Sequence, residues 1–101
     1  MEYILVQHTH DEIDEPNKIY SEIDRDRMET RRVEFYPTGL CFAYGEEHGR
    51  EEALQQTPFP VDLHELETSE DIIARPISRM IFREIWDHAA ETPDSLMDMF
   101  F

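Results

Sequence analysis

Two histidines and several carboxylates open the chain's most conspicuous polar stretch, HTHDEIDE, which begins at His8. His8 and His10 are two positions apart, so on a β-strand their side chains lie on the same face. Such a pair can chelate a metal ion, and zinc would take further oxygen ligands from Asp11, Asp14 or Glu15. The sequence has no cysteine pair, HExxH motif or second histidine pair at ligand spacing. Metal binding through the two histidines is therefore an alternative, and no cofactor is predicted.

Other side chains that often catalyse reactions lack an activating context. The single cysteine, Cys41, lies between Leu40 and Phe42 on a predicted strand, where a buried and inert thiol is usual. The three glycines of the chain form no phosphate-binding loop, and no serine lies in a nucleophile-elbow motif. We therefore expect a protein that is not an enzyme.

Acidic residues dominate the composition. Asp and Glu number 24 against 9 Lys and Arg, which gives a formal net charge of −15 over 101 residues. Such a charge repels nucleic acid and anionic membranes and attracts cationic partners. Two acidic clusters lie in predicted loops, where binding residues are commonly found. The predicted partner-binding residues are Asp11, Glu12, Asp14 and Glu15 in the first loop, and Glu46, Glu47, Glu51 and Glu52 in the second.

Residues 21–32, SEIDRDRMETRR, interleave carboxylates with arginines. The alternating acids would cancel the positive field that a phosphate-binding patch needs. We expect the arginines to pair with carboxylates across neighbouring strands instead. The arginines concerned are Arg25, Arg27, Arg31 and Arg32.

The elements that position these residues are mostly strands. Alternating and β-branched residues predict strands at 3–10, 18–24, 27–36 and 40–45. The third strand would place Val33 and Phe35 on one face with Glu29 and Arg31. Residues 37–39, PTG, predict a tight turn with Gly39 at positive φ. A long surface connection is expected over 45–61, with Phe59 and Val61 laid on the core, and a short helical turn over 62–67.

A helix is predicted over 77–90. Ser78 is a good N-cap, Ile77 and Phe82 occupy the positions of a hydrophobic staple, and Pro93 should end the helix. An apolar stripe at helical spacing must face the sheet, so its tryptophan should belong to the core. The stripe consists of Phe82, Ile85, Trp86 and Ala89.

The predicted fold is therefore α+β, an antiparallel four-stranded sheet with a C-terminal helix packed on one face. Residues 1–90 form a single domain, and 91–101 form an acidic and apolar C-terminal tail. No apolar run approaches the ~18 residues of a membrane span, and the N-terminus lacks the basic start of a signal peptide. With a single cysteine, these features predict a cytoplasmic location.

The chain also resembles an uncharacterised family of short bacterial domains. The resemblance covers about residues 2–90 and includes Glu15–Pro16, the segment from Ser21 to Asp24, and Val33 to Phe35 after an arginine-rich strand. Pro-x-Pro at 58–60 and the helix with Phe82 and Trp86 are similar too. Some look-alikes are encoded beside polymorphic or contact-dependent toxins, which implies that they are immunity proteins.

Charge and resemblance lead to one expectation. The protein should be an immunity protein that binds and neutralises a basic toxin domain, expected to be a nuclease, by docking acidic loops on it. It would act as a monomer in that complex and bind neither nucleic acid nor membrane. Three alternatives stay open: a nucleic-acid mimic that inhibits a DNA- or RNA-binding complex, a small metal-binding protein using His8 and His10, and a domain whose charge serves only solubility.

Overall fold

A computed structural model describes residues 1–9, 12–45 and 53–100, with the backbone alone for 90–100. The described residues form five strands, one α-helix and a 3₁₀ turn at Leu63–Leu66. The strands are β1 (Glu2–His8), β2 (Lys18–Ile23), β3 (Glu29–Phe35), β4 (Cys41–Gly45) and β5 (Ile72–Ile77). The helix, α1, spans Arg79–Phe100.

The strands pair antiparallel in the order β4-β3-β2-β1-β5. The α+β class with an antiparallel sheet and a C-terminal helix is confirmed, but the prediction of four strands is wrong. The missed strand is β5. It pairs with β1, with Leu5 opposite Arg75, and forms the edge of the sheet opposite β4. A proline and mostly exposed residues are not typical of a strand, so the sequence does not predict the segment containing Pro76 as one. An edge strand tolerates both, because one side of it makes no ladder hydrogen bonds.

Helix α1 covers one face of the sheet. Its Phe82 and Trp86 are 0% and 4% exposed and pack with Tyr3 and Val33 from the strands. The Ser78 hydroxyl accepts a hydrogen bond from the Ile81 N–H at 3.1 Å, so the predicted N-cap is confirmed. The predicted apolar stripe and the assignment of the tryptophan to the core are confirmed as well.

The predicted end of the helix at Pro93 is wrong, because the α1 backbone continues to Phe100. A proline inside a helix lacks one N–H donor and costs about 3 kcal/mol, which weakens a helix without always ending it. The tail predicted from residue 91 is therefore helical up to its penultimate residue.

The second face of the sheet is covered by the segment 53–66. Phe59 is buried against Ile4 and Ile23, whereas Val61 is 82% exposed, so only the first of these two predicted anchors reaches the core. Arg27 holds the segment in place. Its Nε donates to the Phe59 carbonyl at 2.9 Å, and its Nη2 donates to the Pro60 carbonyl at 2.7 Å.

The turn after β3 follows the prediction. Gly39 has φ +93°, and the Tyr36 N–H donates to the Leu40 carbonyl at 2.9 Å, which closes a three-residue hairpin loop. Leu40 is 51% exposed, whereas Cys41 is buried in the cluster beneath α1. In β4 the positions facing the helix are therefore those of Cys41 and Ala43.

A β-bulge places one residue on the face of the sheet opposite to the face predicted for it. Glu22 pairs with Arg31 and Ile23 with Glu29, which leaves Thr30 as the extra residue of β3. Glu29 consequently hydrogen-bonds Ser21 on the face opposite α1. The prediction that it shares a face with Val33 and Arg31 is wrong, because strict alternation ends at the bulge.

Candidate functional site

Acidic side chains gather at the end of the sheet where β1 finishes. The loop from β1 to β2 and the turn before β5 meet there, since the Thr9 N–H donates to the Asp71 carbonyl at 2.9 Å. Both segments are exposed. We call this surface the acidic end and define it by Glu12, Asp14, Glu15, Glu70 and Asp71.

Three of the predicted partner-binding residues, Glu12, Asp14 and Glu15, thus lie together on an exposed loop. The prediction did not include Glu70 and Asp71, because only the pairing of β5 with β1 brings them to this end. The other predicted partner-binding residues and one histidine lie outside the described residues. These are Asp11, Glu46, Glu47, Glu51, Glu52 and His10.

His8 and Glu15 line a cavity of about 510 Å³ on the face opposite α1. Apolar side chains such as Phe59 and Leu66 form much of its wall, and Arg32 adds a guanidinium. Across residues 1–9, 12–45 and 53–89, no three His, Cys, Asp or Glu side chains are grouped closely enough to hold a metal ion.

A buried carboxylate neutralises the arginine of this cavity. The Glu29 side chain is fully buried and accepts from Arg32 Nε at 3.0 Å and from the Ser21 hydroxyl at 2.6 Å. It also accepts from the Gln55 N–H at 2.8 Å, which ties the covering segment to the sheet. Burial by itself would lower the pKa of Arg32, but Glu29 and Glu34 outweigh that effect and raise it.

A second ion pair lies at the opposite end of the sheet, beneath α1. Arg31 donates from Nε and Nη2 to the two carboxylate oxygens of Glu22, at 2.9 and 2.6 Å. The Thr30 hydroxyl donates to the same carboxylate at 2.8 Å. Burial would raise the pKa of Glu22, but the hydrogen bonds from Arg31 and Thr30 lower it overall. The predicted pairing of arginines with carboxylates across strands is confirmed for Arg31, whereas the carboxylate partners of Arg32 lie on its own strand.

A larger cavity, of about 970 Å³, opens beside this ion pair. We call it the Arg79 hollow. Its charged residues are Glu2, Glu22, Arg27, Arg31 and Arg79, and Tyr3 and Thr30 add hydroxyl groups. The sequence offered no signal for it, because these residues come from three strands, a turn and the first position of α1.

Comparisons with curated proteins and with solved structures return no match. In the part of the chain that the structure describes, no helix is both long and apolar enough to cross a membrane. One family model does match, and it spans residues 2–91, nearly the whole of the chain. The chain therefore belongs to the family described as Domain of unknown function (DUF6881).

Proposed function

We propose that this protein is an immunity protein that binds a cationic toxin domain through its acidic end and blocks it by occlusion. The observation that carries the proposal is how the described charges are distributed. The carboxylates of Asp14, Glu15, Glu70 and Asp71 make no hydrogen bond or ion pair to other described residues. They are exposed and remain available to a cationic partner.

Three of the four arginines in residues 21–32 are engaged elsewhere. Arg27 pairs with Glu2, Arg31 with Glu22, and Arg32 with Glu29. The three arginine side chains are at least half-buried. Arg31 contacts α1, and Arg27 binds the segment 53–66 on the other face of the sheet. These three arginines are therefore neutralised within the folded protein, whereas the four carboxylates named above have no cationic partner among the described residues.

The overall charge of −15 adds a long-range electrostatic attraction for a cationic partner. Opposite charge on a partner steers the encounter, and association rates of about 10⁸ M⁻¹s⁻¹ are reached in this way at low salt. A nuclease is the toxin class that fits best, because it holds phosphates with Lys and Arg side chains that carboxylates also match. An inhibitor that occupies such a cluster excludes the nucleic acid without doing chemistry itself.

The first test uses the gene immediately upstream of the one that encodes this protein. The C-terminal domain of its product is expressed in bacteria with and without this protein, and surviving colonies are counted. Killing that the protein relieves supports the proposal. An absence of killing, or killing that the protein does not relieve, overturns it.

Charge reversal then locates the interface. The variant Asp14→Lys/Glu15→Lys changes the acidic end, and Glu84→Lys/Asp87→Lys makes the same change in charge on exposed positions of α1. We expect the first variant to lose protection and to slow association at least about tenfold at low salt. The second keeps protection. Equal losses in both would show that net charge alone acts, and would refute the assignment to the acidic end.

A further inference from the structure

The Arg79 hollow lies at the end of the sheet opposite the acidic end and has a different electrostatic character. Its wall contains three arginines and two glutamates, so it carries net positive charge in a chain of net charge −15. Two of the arginines are already neutralised, Arg27 by Glu2 and Arg31 by Glu22, each at 2.6 Å. Among the side chains of the wall, the uncompensated charge therefore belongs to Arg79.

Arg79 has no ion pair and no side-chain hydrogen bond to any other residue that the structure describes. It is the first residue of α1, where the helix dipole also favours an anion. It lies close enough to Tyr3 to lower the pKa of that hydroxyl, although burial and Glu22 raise it overall. A cationic group thus lies in the wall of a cavity without a carboxylate of its own.

The remainder of the wall is mainly apolar. Leu63, Pro76 and Ile77 contribute to it, and two large side chains, Met1 and Val61, are 72% and 82% exposed there. Val61 extends from the segment that Arg27 fixes to the sheet, so its position is held although its side chain packs on little. Exposed apolar side chains around a cavity of this size are typical of a ligand site.

We propose that the Arg79 hollow binds a small amphipathic monocarboxylate, with its carboxylate on Arg79 and its apolar body against Val61, Leu63 and Ile77. One negative charge matches the one side-chain cation of the wall that has no carboxylate partner. A larger anionic charge would meet the repulsion of Glu2, Glu22 and the rest of the acidic chain. The site is separate from the acidic end, so this assignment stands or falls independently of the proposed immunity function.

The test is a titration of the ¹⁵N-labelled full chain, followed by amide chemical shifts. Sodium octanoate is the probe, octyltrimethylammonium tests the sign of the charge, and acetate and inorganic phosphate test the need for an apolar body. We expect octanoate to shift the amides of Leu63, Ile77 and Arg79, with a dissociation constant on the order of a millimolar or tighter. The other three probes should leave these amides unchanged.

Two matched variants test whether Arg79 is the cation that binds the carboxylate. Arg79→Gln should weaken octanoate binding at least about tenfold, because it removes a charge-assisted contact. Arg83→Gln makes the same change one helical turn later, at an exposed position outside the hollow, and should leave binding unchanged. Val61→Asp should also weaken binding. Both arginines are exposed, and an unchanged thermal midpoint checks that the variants fold.

Several results would overturn the proposal. The first is that octanoate binds nowhere or shifts the amides of other residues. Binding of octyltrimethylammonium as tight as that of octanoate would remove the role of the arginine. Shifts of the same amides by phosphate alone would make the apolar wall irrelevant. Equal effects of Arg79→Gln and Arg83→Gln would show that only net charge matters.

Discussion

Arg31 on β3 binds Glu22 on β2 and also contacts the aromatic side chains of α1. Its guanidinium forms a two-pronged pair with the Glu22 carboxylate on β2, at 2.9 and 2.6 Å. The same guanidinium carbon lies 4.8 Å from the ring centre of Trp86 and 5.2 Å from that of Phe82. The charge is therefore paired with a carboxylate of the neighbouring strand and covered by aromatic rings from α1.

Loss of the Glu22 carboxylate should destabilise the protein. In Glu22→Gln, Arg31 keeps its charge beneath the helix and loses its counter-ion, so we expect the free energy of unfolding to fall by about 2 kcal/mol. Urea unfolding measures this. Glu2→Gln is the matched control, because the Arg27–Glu2 pair has the same 2.6 Å separation but the Glu2 side chain is 62% exposed, against 6% for Glu22. It should cost less than about 1 kcal/mol, and equal losses would contradict the role given to burial.

Acid should remove the same stabilisation. The pKa of Glu22 is lowered in the folded protein, since its hydrogen bonds to Arg31 and Thr30 outweigh its burial. A carboxylate of this kind contributes its full stability above its unfolded pKa and loses it as pH falls through the folded pKa. We expect unfolding free energies, measured from neutral pH to about pH 3, to fall less steeply in Glu22→Gln than in the parent. Parallel curves would show that other carboxylates are responsible for the loss of stability at low pH.

Glu67 should protect the exposed edge of β5. Alternate residues of β5 bond to β1, so the outward positions are Ile72, Ala74 and Pro76. The Ile72 N–H donates to the Ser69 carbonyl at 3.2 Å, the Ala74 N–H donates to the Glu67 carboxylate at 2.9 Å, and proline has no N–H. This edge therefore offers no free donor to another chain, which is a common defence against edge-to-edge association.

Replacing Glu67 with alanine frees the Ala74 N–H and should increase self-association. Sedimentation velocity over a range of protein concentrations measures it. Glu65→Ala removes one negative charge from the adjoining 3₁₀ turn without removing a hydrogen bond to β5, and it serves as the control. An equal rise in both variants would assign the effect to lost charge repulsion and not to the edge.

Cys41 should react slowly while the protein is folded. It is 5% exposed, and burial raises the pKa of its thiol, so little thiolate is present or reachable at neutral pH. We expect a thiol reagent such as Ellman's to label it at least about a hundredfold more slowly than the urea-unfolded chain. Leu40→Cys in a Cys41→Ser background places a thiol at the neighbouring, 51% exposed position and should react fast. Rapid labelling of native Cys41 would contradict its burial.

Local sequence patterns were sufficient for most of the elements. Alternation in β1 to β4, the PTG turn with Gly39, and the capped amphipathic start of α1 are encoded by residues close together in the chain. Each depends on short-range sterics or on one periodicity, so the sequence by itself determined them. Composition likewise determined that the surface would be strongly acidic.

Contacts between distant residues decided the rest. The segment that forms β5 has no strand pattern of its own and becomes a strand because β1 supplies its hydrogen bonds. A bulge at Thr30, invisible to strict alternation, turned Glu29 to the face opposite Arg31. The acidic end gained Glu70 and Asp71 through β5, and the Arg79 hollow exists only where strand ends, a turn and α1 converge. Sites of this kind depend on which segments pair, and pairing is a property of the whole fold.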